Sequence, residues 1–435
     1  MQTPLMPTSA TSRDARPDMP LAEALFTQLR SVSFDGLGIT RDSYGKGEQA
    51  AHDLMVDTAR ALDLEVAYDG ARNLYVTLPG RDRNAPCAMT GSHLDSVPAG
   101  GNFDGAAGVV AGMAVLAGWR RAGYVPPTDV VVMGVRAEES TWFPYSYLGS
   151  KAAFGLVDRT VLELTRSDTG RTLASHLAEV GGDPAEFGKP WLDPAKIGRF
   201  VELHIEQGPV LIEANLPVGI VTGIRGALRY RDARALGTYA HSGAAPRRSR
   251  HDAVRAAALL IAAIDADWEQ LEDAGKDLVI TFGKLSTNPL QHAFSKVAGE
   301  IDICVDVRSL HTETLEEVDR LFQQRAAEIG ALARVTITLG ERTGSAPAVM
   351  DDAIQSRLTQ AARDRAIPFM AMASGAGHDA AVFAQRGIPT GMIFVRNDCG
   401  SHNPDEKMDL ADFALGTLLL ADALSHSSTS PIKET

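Results

Sequence analysis

A chain of 435 residues, 45% hydrophobic and 22% charged, has the composition of an ordinary folded protein and is long enough for two domains. Its formal charge of −13, with no long basic run, argues against nucleic acid and anionic membrane as partners, and no apolar stretch approaches the roughly 18–20 residues of a membrane span. Three scattered cysteines, Cys87, Cys304 and Cys399, make no disulfide framework and fit a reducing, cytoplasmic setting.

Residues 1–20 hold Pro, Ser, Thr and charges without the apolar core of a signal peptide, and are expected to form a disordered tail. From 21 to 63 the texture is helical. Leu21, Leu25 and Leu29 recur at helical spacing, and a second such pattern runs from Glu48 to Leu62. Short β-like runs follow: LEVAY, NLYVTL, CAMTGSH and DVVVMGV. Between the last two lies DGAAGVVAGMAVLAGWRRAG, small and apolar with a basic end. It predicts a helix packed tightly on a sheet, with Asp104 near its N-terminus. Strand, helix, strand in that order predicts a mostly parallel α/β sheet. Sites in such sheets form at the carboxyl ends of strands.

Residues 225–341 follow a different pattern. The strand LRYRDARALG leads to a helix over Asp252–Leu271, then to the strands DLVITFGKL and EIDICVDVR, a helix over Glu313–Ile329 and the strand ARVTITLG. This βαββαβ order is that of a ferredoxin-like domain. The Arg-rich stretch 247–255 reads as a helix start with solvated charge. The expected architecture is α/β: a discontinuous, mostly parallel-sheet catalytic domain over 21–224 and 342–425. Into it is inserted a ferredoxin-like lid and dimerisation domain over 225–341. The last residues, 426–435, read as a flexible tail.

The chemistry concentrates in four short polar segments, each at or near the end of an apolar run. They are GSHLDSVPAGGNFDG (91–105), RAEES (136–140), ELHIEQG (202–208) and CGSHNPDE (399–406). Neutral imidazoles and carboxylates suit a divalent ion such as Zn²⁺ or Mn²⁺. His93, Asp104, the Glu138–Glu139 pair, His204 and His402 are too many for one tetrahedral structural site. They match two ions sharing a bridging Asp, which points to metal-assisted hydrolysis. In the H-x-D pair, Asp95 is expected to hold the far nitrogen of His93. The Gly-rich PAGGNFDG loop lets backbone approach an ion closely. Adjacent side chains diverge, so one of Glu138 and Glu139 can bind metal while the other acts as base and passes the proton to a leaving amine. His204 alternates with Glu202 and Glu206, and Gln207 follows in a polar pocket wall. His241 in TYAHSGAAP and Arg308 in CVDVRS could supply a donor to a developing oxyanion and a fork for a substrate carboxylate.

Taken together, GSHLDSVPAGGNFDG, HIEQGPVL, AHSGAAP, SGAGHDA (374–380) and SHNPDE make the chain similar to the M20-type metallo-amidohydrolases over residues 21–425. Specifically, it resembles the hydantoinase/carbamoylase branch, which includes N-carbamoyl-L-amino-acid hydrolases, allantoate amidohydrolases and β-ureidopropionases. The resemblance implies that His93, Asp104, Glu139, His204 and His402 bind two divalent ions per subunit, with Asp104 bridging. Zn²⁺ or Mn²⁺ is expected, and Co²⁺ and Ni²⁺ also suit these donors. It makes Glu138 the general base and acid, and Gln207 a residue that orders the substrate. It makes His241 the oxyanion donor, Arg308 the carboxylate fork, and Gly377 and His378 a wall of the substrate pocket. Where the family commonly has a substrate-binding Asn, this chain has Ser295 in SKVAG. Arg136 and Ala137 stand where more acidic or polar company is expected.

The implied function is hydrolysis of a linear amide or ureido C–N bond in an N-carbamoyl-L-amino acid, or in a related ureido acid such as allantoate, by a homodimer. The substrate is a small molecule with a carboxylate. Hydrolysis of N-acyl amino acids, as by an aminoacylase, is the alternative that Ser295 favours. A catalytically silent binding protein on the same fold is the other, against which the presence of Glu138 and all five ligands argues.

Overall fold

The computed structural model describes residues 15–426. Of the expected tails, 1–14 and 427–435 lie outside the described residues. Within the first tail, Ala15 is already buried, and Asp18 caps the helix Met19–Ser33 by accepting from Leu21 N at 3.0 Å. The chain divides into two compact units: one runs to Thr222 and resumes at Met350, the other spans Gly223–Val349. Among the described residues no helix is long and apolar enough to cross a membrane.

The first unit is built on a mixed sheet. Its centre is four strands, Val130–Val135, Cys87–His93, Ile197–Ile205 and Thr390–Val395, each parallel to the next. These are near-continuous apolar runs, and Thr390–Val395 is buried throughout, as strands covered on both faces must be. The flanks are antiparallel. Leu74–Leu78 and Glu65–Tyr68 extend one side, and Val218–Ile224 pairs with the other. The strand–helix–strand order thus holds for the centre. The edges depart from it: of these antiparallel pairs only Glu65–Tyr68 and Leu74–Leu78 are joined by a short link, the others being between strands distant in the chain.

The helix Ala106–Ala122 covers one face and is buried over Ala106–Trp119. Its small residues set the distance. A Cβ on Gly108 would meet the Leu203 carbonyl oxygen at 2.3 Å, and one on Gly112 would meet Val132 Cγ2 at 2.8 Å. The helix ends on Arg120, Arg121 and a left-handed Gly123, a cap that satisfies its last carbonyls. The helix Leu410–Ser425 joins the same core through Phe413, Leu419 and Leu420. A satellite core of Trp142, Phe143, Leu148, Leu173 and Phe187 supports the segment that leaves Val130–Val135.

The second unit orders its main strands as Thr336–Thr338, Gly226–Leu236, Glu300–Ser309 and Val279–Thr287, with antiparallel neighbours throughout. Along the chain they alternate with the helices Ala253–Asp273 and Thr312–Ala333 as strand, helix, strand, strand, helix, strand. Burial alternates strictly along Glu300–Ser309. Ile301, Ile303, Val305 and Val307 therefore face the helices, while Asp302 and Asp306 pair with Arg234 and Arg229 on the other face. A short strand, Arg342–Ser345, adds to Gly226–Leu236 beyond residue 341.

Candidate active site and metal centre

The four central strands of the first unit point the same way, so their carboxyl ends converge. His93 is the last residue of its strand, Glu138 and Glu139 follow Val130–Val135, and His204 lies one residue before the end of its strand. The His402 loop follows Thr390–Val395.

Asp104 stands at the centre. Its Oδ1 lies 3.2 Å from His204 Nε2 and 3.8 Å from His93 Nε2. Its Oδ2 lies 3.3 Å from His402 Nε2, which is itself 3.0 Å from Glu139 Oε1. Two trios therefore share one carboxylate: His93, Asp104 and His204, all buried, and Asp104, Glu139 and His402, which open towards solvent. Within each trio the ligand atoms lie within 4.8 Å of one another.

Backbone geometry holds this arrangement. Phe103 N and Asp104 N donate to Glu406 Oε1 at 2.7 and 3.2 Å, and the fully buried Arg41 donates to the Asp104 carbonyl at 3.3 Å. Gly105 adopts φ +65°, and a Cβ there would meet the His93 ring at 2.5 Å, so only glycine fits. His204 Nδ1 sits 3.0 Å from the Ile205 carbonyl oxygen. That contact orients the ring so that Nε2 faces Asp104. In the last loop Cys399 and His402 both take positive φ, and Asn403 Nδ2 bonds the carbonyls of Cys399 and Ser401. Ser401 Oγ donates to Asp104 Oδ2 at 2.5 Å and to Glu406 Oε2 at 3.2 Å.

Asp95 lies against the far nitrogen of His93, with its backbone oxygen nearer than its carboxylate. Its backbone oxygen lies 3.0 Å from His93 Nδ1 and its carboxylate 3.5 Å away. The carboxylate also accepts from Glu138 N, Glu139 N and Ser43 Oγ at 3.1, 3.2 and 2.7 Å, clamping the acidic turn.

Arg136, the unexpected cation beside that turn, is fully buried. It donates to Glu48 Oε2 at 2.7 Å and to the Arg72 carbonyl at 2.8 Å. Glu48 also accepts from Ala137 N, and Ala137 turns the chain with φ +51°. The Arg–Ala pair therefore anchors the acidic turn from beneath.

Burial, with repulsion from Glu139, Asp379 and Asp95, holds Glu138 well above the usual carboxylate range, and His93 opposes that rise. Its Oε2 lies 3.9 Å from His93 Nε2. Burial pushes Asp104 up too, but His204 and His402 outweigh it and hold Asp104 well below its ordinary value. Hydrogen bonds donated by His402 to Asp104 and Glu139 raise it to about 10. So many carboxylates and imidazoles compensate one another only with protons or cations between them. The donor set fits divalent ions: imidazole Nε2 atoms and carboxylate oxygens converge, with Nδ1 of His93 and His204 tied to backbone carbonyls. Gln207 Nε2 donates to Asp104 Oδ2 at 3.1 Å, while its Oε1 is buried with no hydrogen-bond partner among the described residues.

His378 lies beside His204, next in sequence to Gly377. His378 is buried with its ring 4.5 Å from that of His204 and its Nε2 3.0 Å from Ser374 Oγ. Burial, then His204, holds its pKa well down. Glu202 completes a third trio with His204 and His378, but its oxygens are already taken by Ser92 Oγ and Ala380 N. A Cβ on Gly377 would overlap the Tyr147 hydroxyl.

The second unit holds the remaining candidates. His241 pairs with Lys296 in a two-stranded ribbon, and Ser242 N donates to the Ser295 carbonyl at 2.9 Å, so His241 and Ser295 are brought together. His241 Nδ1 accepts from Gly243 N and Ala244 N at 3.2 and 3.1 Å, which puts its proton on the exposed Nε2. Arg308, on Glu300–Ser309, donates to Asp306 at 2.9 Å.

Arg41, Glu48, Asp379 and Glu406 were not singled out from sequence, and Glu202 was noted only for its alternation with His204. Glu406 and Asp379 lay within quoted motifs, but Arg41 and Glu48 carried no local signal.

The profile of the family described as Peptidase family M20/M25/M40 matches residues 89–426. The chain is 34% identical over 391 residues to an N-carbamoyl-L-amino acid amidohydrolase of Geobacillus stearothermophilus, covering 90% of this chain and 92% of that one. It is 31% identical over 363 residues to an allantoate amidohydrolase of Escherichia coli, covering 83% and 86%. The crystal structure of an amidase of the hydantoinase/carbamoylase family from Burkholderia multivorans matches with a TM-score of 0.87 at 27% identity, covering 96% of this chain and 100% of that one. These matches bear out the resemblance carried by the motifs: the chain belongs to peptidase family M20/M25/M40, in its hydantoinase/carbamoylase branch.

Proposed function

We propose that this protein is a two-metal amidohydrolase that cleaves the linear amide or ureido C–N bond of an N-carbamoyl-L-amino acid or a related ureido acid such as allantoate. The observation that carries this reading is the pair of trios sharing Asp104. His93 and His204 would hold one ion and Glu139 and His402 the other, with Asp104 common to both. Zn²⁺ or Mn²⁺ suits these donors best, and Co²⁺ and Ni²⁺ suit them too. Ions held there would supply Lewis acidity to the scissile carbonyl and to the attacking water.

The protein's own groups do the rest. Glu138, held above the usual range by burial, takes a proton and returns it to the leaving nitrogen. Gln207, bonded to Asp104 and with a free amide oxygen, orders the substrate beside the centre, with Gly377 and His378 supporting the pocket. His241, with its Nε2 proton exposed, donates to the developing oxyanion. Arg308 exchanges Asp306 for the substrate carboxylate. The second unit serves as a ferredoxin-like lid and dimerisation domain over 225–341, and the catalytic domain spans 21–224 and 342–425 of a cytoplasmic homodimer.

Ser295 favours a second reading. It lacks the amide that would recognise a ureido group, which suits an N-acyl amino acid. A panel of N-carbamoyl, N-formyl, N-acetyl and bulky N-acyl L-amino acids plus allantoate, assayed on Mn²⁺- and Zn²⁺-loaded protein, separates the two. Ureido substrates should exceed acyl ones in kcat/KM by at least about tenfold, roughly the effect of one differential hydrogen bond. The reverse order would overturn the ureido assignment.

A further inference from the structure

We infer that the Gly223–Val349 unit carries a second ligand site, an arginine-lined cavity that binds a small polyvalent phosphate anion of the pyrophosphate or nucleoside-polyphosphate kind. The cavity measures about 680 Å³ and is lined by Arg247, Arg248, Arg250, Arg255 and Arg334, with Asp252 the one acid. Three elements converge to build it. Arg247 and Arg248 lie in the short turn Arg247–Ser249, and Arg255 lies in the first turn of Ala253–Asp273. Arg334, on a left-handed backbone, caps Thr312–Ala333.

Several other arginines of this unit are neutralised by an acid. Arg225 pairs with Asp277, Arg229 with Asp306, Arg234 with Asp302, Arg325 with Asp267, and Arg342 with Glu316. The five around the cavity form no ion pair among the described residues, in a chain whose net charge is −13. The one acid, Asp252, whose Oδ1 accepts from Arg255 N as the helix cap, offsets one of these five charges and leaves a net positive lining.

The cavity is also preformed. Arg250 donates to the carbonyls of Ala245 and Ser242, and Arg334 to those of Arg248 and Arg250. These bonds fix the turn against the helix end, while Arg247, Arg248 and Arg255 keep their forks uncommitted. Crowded like charges repel unless an anion sits among them, and guanidinium forks match phosphate oxygens two at a time. The N-terminus of the 21-residue helix adds positive potential on the same side. The volume falls within the roughly 300–1,000 Å³ of small-ligand sites. Leu332 is the only large apolar side chain in the lining, so recognition rests on charge and selects a charge-dense ligand. A concave site of this size fits a small anion better than an acidic protein segment.

The test is isothermal titration of full-length, metal-loaded protein with inorganic pyrophosphate near physiological ionic strength. It compares the unmodified chain with an Arg248→Ala/Arg255→Ala double variant, which keeps the Arg250 and Arg334 bonds, and with Arg60→Ala as a surface control. Saturable binding is expected, weakened at least about tenfold in the double variant, unchanged in the control, and weaker at high salt. Adenosine triphosphate supplies the second arm. Tighter binding than pyrophosphate identifies a nucleotide, and equal binding identifies an inorganic polyphosphate; either supports the site. Equal binding by the double variant, as chelation at the metal centre would give, overturns it. So does tighter binding of citrate or of an acidic peptide than of pyrophosphate.

Discussion

Glu138 lies with Oε2 3.9 Å from His93 Nε2 and is crowded by Glu139, Asp379 and Asp95. Its backbone N is pinned to Asp95 Oδ1. A side chain so placed can carry a proton without being needed to hold an ion. Glu138→Gln should keep metal content unchanged and lower kcat by about 10²–10⁴-fold, the usual contribution of a positioned acid–base group. Loss of metal in that variant would make Glu138 a ligand instead. The acidic dipeptide was legible in the sequence, but its anchor was not. Arg136 read as a departure from pattern, because its partner Glu48 is 88 residues away and sits on a helix whose periodicity says only that one face is buried. Breaking this buried pair leaves an uncompensated charge. Arg136→Met should destabilise the fold by about 3–5 kcal/mol, with Glu48→Gln/Arg136→Met recovering most of it. Urea unfolding midpoints check both, and a double variant no better than the single would show that the pair does more than neutralise itself.

At the scale of elements, the helix Ala106–Ala122 links core to site. It starts directly after Asp104 and Gly105 and lies close enough on the sheet that Gly108 faces the Leu203 carbonyl. Leu203 adjoins His204, so a push at Gly108 is transmitted to a ligand strand. Gly108→Val should cost about 1–3 kcal/mol or more, because the opposing atom is backbone and cannot rotate away. An unchanged thermal midpoint would mean that the helix floats free of the strand. This helix was legible because small-residue apolar runs state their packing directly. The antiparallel flanks were not, since pairing direction depends on which neighbours meet in space. Asp95 lies against Nδ1 of His93 as its spacing suggests, but its clamp on the backbone of Glu138 and Glu139 was not legible. The positive φ of His402 left only a weak trace in residue type, because glycine is the usual sign of that conformation and histidine, though enriched there among the other residues, mostly lies elsewhere.

Over the whole molecule, the strand–helix–strand core and the strand–helix–strand–strand–helix–strand order of 225–341 could be read from hydrophobic period alone. Long-range braces could not. Glu406 bonds the backbone of Phe103 and Asp104 across some 300 residues, and Arg334 closes a cavity whose other arginines lie 79 to 87 residues earlier. In each case single-residue signals were present but their meeting was not encoded locally. What unites the first unit is the convergence of strand ends on Asp104, and everything chemical depends on whether that convergence holds a pair of cations. The direct measurement is the metal content of protein reconstituted with Zn²⁺ or Mn²⁺ and freed of excess ion, determined by plasma mass spectrometry. Two ions per chain are expected; a single ion, or none, would contradict the shared-carboxylate centre.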